Sequence, residues 1–132
     1  MNRKSLLLST VLILFTTIVY SQVVVGNDRD KHGCIGSAGY TYSAIKNNCI
    51  QVFAQKIKLK EVDSSKTANF MAAVIFSTDY KKAEVFLKGY KEGQVLTRTG
   101  KKGNYSWKKD DLELTYKKVF KLTKAKKLIY AS

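Results

Sequence analysis

From residue 56 onward the chain is cut into short apolar runs, separated by clusters of Gly, Asp, Ser, Asn and Lys. Runs this short and this regularly punctuated leave no room for helices of ordinary length and are the signature of strands joined by turns. Ile57 and Leu59 sit between Lys56, Lys58 and Lys60, the period-two pattern of a strand with one buried face. Residues 68–77 are almost continuously apolar, and Val74, Ile75 and Phe76 favour a buried strand over a short helix. Ala83, Val85 and Leu87 alternate with Glu84 and Lys88. Residues 95–98 follow a turn bounded by Gly89 and Gly93, and residues 104–108 follow one bounded by Gly100 and Gly103. Leu112, Leu114 and Tyr116 alternate after Asp110 and Asp111, and residues 119–122 and 128–130 complete the series. About eight short strands at spacings of ~8–12 residues predict an all-β fold, a small antiparallel barrel of meander type. The chain has no proline, so its turns fall to glycine, aspartate and lysine.

The first 21 residues have a different character. Arg3 and Lys4 precede an apolar stretch from residue 6 to 20 that is broken only by Ser9, Thr10, Thr16 and Thr17, the pattern of a secretory signal. Val19 and Ser21 suit a signal peptidase cut before Gln22. The alternative is an uncleaved anchor, since no charge occurs between Ser5 and Gly26 and a spanning helix needs about 20 apolar residues. Either way the remainder is delivered outside the cytoplasm, periplasmic or extracellular, with membrane attachment only if the signal is retained.

Export gives the two cysteines their meaning, because an oxidising compartment permits a disulfide between Cys34 and Cys49. The spacing is not that of a C-x-x-C redox pair, and with one histidine in the chain a metal site is not expected. Residues 22–33 read as a flexible arm, and residues 34–132 as a single β-rich domain. Within it, residues 33–39 form a turn-rich loop, and residues 43–48 a short helical turn with Ser43 as N-cap, pinned by the disulfide. Of 24 basic residues, removing Arg3 and Lys4 leaves 22 against 10 acids, a charge of +12 that attracts acidic partners. Only Arg29 and Arg98 are arginines; the lysines act as point charges without a planar fork for phosphates or bases, so no specific nucleic acid is expected.

Motifs for chemistry are scarce. Asp28, Asp30, His32 and Gly33 open like a calcium loop, but Gly39 stands where the bidentate glutamate belongs. His32 is the sole histidine and would have to serve any hydrolytic triad. Asp110 and Asp111 are adjacent, so on a strand they face opposite sides and cannot act as a glycosidase pair. The glycine turns lack the helix and the Gly-Lys-Ser/Thr ending of a phosphate loop. The aromatics between Tyr40 and Tyr130 read chiefly as strand packing, with a stacking platform for single strands as the alternative. No catalytic residue, cofactor or metal is assigned.

The segment Gly33-Cys34-Ile35-Gly36-Ser37-Ala38-Gly39-Tyr40, running on to Cys49-Ile50, resembles a cysteine-bracketed segment of uncharacterised exported proteins from Bacteroidetes-type bacteria. Residues 68–130 resemble the periplasmic and membrane-bound C-type lysozyme inhibitors, small barrels that insert a loop into the lysozyme cleft. The resemblance implies a binding site at Thr99, Gly100, Tyr105 and Lys117. Here the interval from Gly100 to Tyr105 is longer than in that family, Lys118 stands where the family prefers glycine, and both cysteines precede the barrel. The expectation is thus an exported, non-catalytic binding module. Its partner is a protein, by resemblance a lysozyme, or alternatively an acidic envelope polysaccharide or lipid headgroup held by Lys118, Lys121, Lys124, Lys126 and Lys127.

Overall fold

The computed structural model describes residues 28–63, 65 and 70–132, so the expected signal and the first part of the expected arm lie outside the described residues. A two-stranded antiparallel sheet comes first, β1 (Tyr40–Ser43) and β2 (Asn48–Gln51). Eight strands follow: β3 (Ile57–Glu61), β4 (Met71–Phe76), β5 (Lys82–Phe86), β6 (Gln94–Lys101), β7 (Asn104–Lys109), β8 (Leu112–Lys117), β9 (Val119–Lys124) and β10 (Lys127–Ala131). Each pairs antiparallel with its successor, and β10 pairs back onto β3 to close the barrel. All eight are the strands expected from the alternation.

The barrel interior is filled by Leu59, Val74, Val85, Leu96, Trp107, Leu112, Leu114, Leu122 and Tyr130, with Ala72 and Ala83 where strands come close. Alternation along each strand is what makes this possible, because residues two apart share a face. Eight strands give an interior that side chains can just fill. A bulge between Leu128 and Tyr130 breaks the alternation in β10 and turns both Ile129 and Tyr130 toward the core.

One outer face is covered. Ala73 and Ile75 of β4 and Glu84 and Phe86 of β5 alternate with the interior residues, yet they too are buried. The β1–β2 sheet lies over them, with the 3-10 turn Val52–Ala54 against β4. The continuously apolar stretch at residues 71–76 is therefore a strand buried on both sides.

The short helical turn expected at residues 43–48 is instead the tip of the β1–β2 hairpin. Ser43 pairs with Asn48 across it, and Asn47 adopts a positive φ of 50°. Helical turns occur on either side, at Gly36–Ala38 and Val52–Ala54. The Ser43 hydroxyl still accepts the Lys46 N–H at 3.1 Å, the contact of a cap, but an outside carboxylate holds it in the hairpin. Cys34 and Cys49 form the expected disulfide, with Cα atoms 5.6 Å apart. Such a bond is compatible with an oxidising compartment. Of the expected arm, residues 28–33 are held in a turn: Asp30 accepts the N–H groups of His32 and Cys34 at 2.8 and 2.9 Å, and Arg29 bridges to Ile35.

Candidate functional site

Three places on the barrel carry polar chemistry. The first is the seam under the β1–β2 sheet. Glu84 is only 1% exposed, and its carboxylate accepts the Ser43 hydroxyl, the Ala44 N–H at 2.9 Å and the Ile45 N–H at 3.1 Å. A buried charge is tolerated only when its lone pairs are used in this way. Gly93 makes room for it, since a Cβ there would lie 2.5 Å from Glu84 Oε1 and 2.7 Å from Phe86 Cε1. Beside the seam, Lys31 bridges to Glu92 at 2.6 Å and His32 stacks on Tyr42 with centroids 3.8 Å apart. The Lys31 hydrogen bond holds the Glu92 carboxyl below its usual range. The Glu84 carboxylate is fully engaged in joining sheet to barrel. In the sequence Glu84 stands only as the polar partner in the β5 alternation; Phe86, an aromatic at the same outward parity, is the signal that this face is covered.

The second place is the outer face of β8, β9, β10 and β3. Lys58 and Lys60 point outward from β3 and Lys121 from β9, each exposed and each alternating with buried Leu59 or Leu122. Ala131 of β10 pairs with Lys60 on one side and Lys121 on the other. With strands spaced about 4.8 Å apart, these two lysines stand roughly 10 Å apart across a small residue. Lys117 ends β8 and Lys118 is the lone residue between it and β9, both exposed on the same half of the face. β9 and β10 contain no acidic residue, the sole one on β3, Glu61, alternates with the outward lysines, and the one on β8, Glu113, faces outward and pairs with Lys108 at 3.2 Å.

The lysine run expected to act together is divided by this arrangement. Lys118 and Lys121 join the face, whereas Lys124, Lys126 and Lys127 lie at the opposite rim, around the β9–β10 turn. Lys124 sits 5.1 Å from the Tyr90 ring centroid, and its hydrogen bond to Tyr90 holds its ammonium above the usual lysine range. Along β9, Lys118 and Lys124 stand about 20 Å apart and Lys121 and Lys124 about 10 Å. Lys58 and Lys60, distant in sequence, complete the face because β10 closes onto β3.

The third place is the barrel rim where β4, β6, β8 and β10 end, called here the upper rim. Tyr80, Phe76, Phe120 and Tyr116 form a continuous chain of rings, with successive centroids 5.3, 5.8 and 4.6 Å apart. Trp107 packs on Phe76 at 4.8 Å and donates its indole N–H to the Tyr80 carbonyl at 2.8 Å. Tyr80 and Tyr116 remain 59% and 53% exposed. The Arg98 guanidinium lies 4.4 Å over the Tyr105 ring, and Nη1 donates to the Asp79 carbonyl at 3.4 Å.

The residues singled out by resemblance lie at this rim, Thr99 and Lys117 at outward positions and Tyr105 at an inward one. Gly100 pairs with Tyr105 across the β6–β7 hairpin, Thr99 pairs with Ser106 through their hydroxyls at 3.1 Å, and Lys117 ends β8 two strands away. Gly100 has φ +94° and a Cβ there would meet the Asn104 carbonyl at 2.4 Å, so only glycine fits. Lys118 has φ +70°, a conformation in which glycine would be unstrained. The rim's ring chain and Arg98 went unrecognised because Phe76, Tyr80, Trp107 and Phe120 lie on different strands. Among the described residues, no group of three or more His, Cys, Asp or Glu side chains is placed to hold a metal ion.

Fold and surface together define a closed, eight-stranded antiparallel meander barrel with one capped face, one lysine face and an aromatic rim. Compared with protein-family models, curated proteins and solved structures, the chain matches none.

Proposed function

We propose that this chain is an exported, non-catalytic binding module that holds an acidic polysaccharide of the cell envelope on the face of β8, β9, β10 and β3. The observation that carries the reading is the gathering of Lys58, Lys60, Lys117, Lys118 and Lys121 on one surface whose strands β9 and β10 bear no acid. Solvated lysines on a rigid sheet attract a polyanion by field and counterion release rather than by fitted hydrogen bonds. The apolar, β-branched stretch at residues 6–20 supports delivery to the envelope, and a signal cleaved before Gln22 leaves the +12 chain there. Retention of the mature chain on immobilised polygalacturonate is expected to fall steeply as salt rises. Substituting Lys58, Lys60 and Lys121 together by Gln is expected to lower affinity at least about tenfold at low salt. Retention that is indifferent to salt or to the triple substitution would sink the reading.

A second reading, inhibition of a C-type lysozyme, is favoured by the placing of Thr99, Gly100, Tyr105 and Lys117 at one rim. C-type lysozymes are basic, so a +12 chain would dock against repulsion that salt screens over about 8–10 Å. Inhibition that holds or strengthens with salt, and weakens in Lys117→Ala, would decide for it over the polysaccharide.

A further inference from the structure

We propose that the upper rim is a binding site for a hexuronate, a sugar ring bearing a carboxylate. As a unit of the acidic polymer it rests on the reading of the lysine face, but its chemistry is separate. Arg98 is one of three arginines in a lysine-rich chain, and it is held at the barrel mouth. Its backbone follows the alternation of buried Leu96 and pairs with Trp107, which aims it inward along the rim. Tyr105 lies under the guanidinium because the residue paired with Tyr105 is Gly100, which places no side chain over that ring. Stacking of this kind fixes the plane of the fork and leaves its N–H edges for an acceptor. Among the described residues Arg98 forms no ion pair; its charge faces one carbonyl at 3.4 Å.

A planar, oriented guanidinium with open edges is the group that binds a carboxylate through two parallel hydrogen bonds. Next to it stands Tyr80, its ring exposed and packed on Phe76, on a turn tied to the barrel by the Trp107 indole donating to the Tyr80 carbonyl and by the Arg98 backbone N–H donating to the Lys81 carbonyl at 2.8 Å. The C–H face of a pyranose is slightly positive and packs on the negative face of such a ring. Neither group alone selects a ligand; a carboxylate and a flat aliphatic ring on one small molecule satisfy both. Lys117 and Lys118 continue from this rim onto the lysine face, so a polymer entering the rim by one sugar runs on over like-signed ground.

Trp107 is the sole tryptophan and touches the rim from within, so its emission reports on this site. Titration of the full mature chain with tri-galacturonate is expected to give a saturable emission change. The neutral tri-galactoside of the same length is expected to bind about tenfold or more weakly, because the guanidinium then lacks its acceptor. Arg98→Lys, which keeps the charge but removes the fork, is expected to weaken tri-galacturonate about tenfold. Tyr80→Asn removes the ring, suits the positive φ of 55° at that position, and is expected to weaken binding several-fold, roughly 1 kcal/mol of stacking. Equal response to the acidic and neutral trisaccharides, or unchanged binding in a folded Arg98→Lys chain, overturns the proposal. Polymer retention without a Trp107 response would overturn the rim site and leave the lysine face standing. A Trp107 response without retention would do the reverse, and absence of both would remove both.

Discussion

The outer faces of β4–β5 and of β9–β10–β3 are built on the same barrel by the same alternation, and they have opposite fates. On the first, Ala73, Ile75, Glu84 and Phe86 are buried beneath a second small sheet; on the second, Lys58, Lys60 and Lys121 stand in solvent. Apolar interiors do not distinguish the two, since Ala72, Val74, Ala83 and Val85 back the first and Leu59, Leu122 and Tyr130 the second. The outward positions decide. An outward Phe86 has to be covered, and once it is covered a neighbouring carboxylate must find donors, which the Ser43–Ile45 turn supplies. An outward lysine needs nothing but water. A charged residue is thus a structural joint on one face and a free surface group on the other.

The largest expected contrast comes from neutralising a charge on each face. Glu84→Gln keeps the size of the side chain but cannot accept from three donors, and leaves at least one buried polar group unpaired. We expect a loss of about 3 kcal/mol in chemical denaturation. Lys121→Gln is expected to change stability by no more than ~0.5 kcal/mol, as for exposed positions generally. Equal small effects at the two sites would abolish the contrast.

A smaller effect is expected from Gly93→Ala. The added methyl meets Glu84 and Phe86 at under 3.0 Å, and neither can swing away while the sheet is docked. Overpacking of this kind costs about 2 kcal/mol. In the Glu84→Ala background the added methyl gains space, so the same substitution is expected to cost less there; a thermal-melt double-mutant cycle without coupling would show that the two do not touch.

The smallest effect lies in the turn leading into the cap. Asp30 is held below the usual carboxylate range by the N–H of Cys34, then of His32. Its folded value is depressed, so its contribution is fully present above the unfolded value and is lost as pH falls through the folded one. The amide resonance of Cys34 should show its main midpoint below about 4, while those of Lys58 and Lys121 do not follow. A midpoint above about 4 would remove this hydrogen-bonded carboxylate from the turn.

How much of this was legible in the sequence follows from how far each feature reaches along the chain. The eight barrel strands depend on neighbours two apart, so alternation at residues such as Ile57 and Leu59 or Leu112 and Leu114 was enough. The disulfide followed from there being only two cysteines in a chain that reads as exported. The β1–β2 hairpin was read as loop and helical turn because Ala44, Ile45 and Lys46 suit a helix locally; Glu84, some 40 residues away, holds them otherwise. The candidate lysine set is spread over the barrel by pairings equally distant in sequence. Lys121 and Lys127 are close in sequence but point to different regions, whereas Lys60 and Lys121 become neighbours only through barrel closure. Tyr80, Arg98 and Trp107 come from three strands or turns, and no periodicity links them.

Closure of β10 onto β3 has a consequence for the order of events during synthesis. Every other barrel pairing joins consecutive strands, and hairpins of that kind form in about 1–10 μs. The ring itself cannot be completed until residues 127–131 have emerged, because they supply the pairing partner of β3. Until then β3 is an open edge, the kind of surface on which chains join side by side and precipitate. Lysines are the residues that blunt such an edge, and this waiting strand carries Lys58 and Lys60. The two side chains proposed to hold a polyanion on the finished barrel therefore also guard the unfinished one against its own copies.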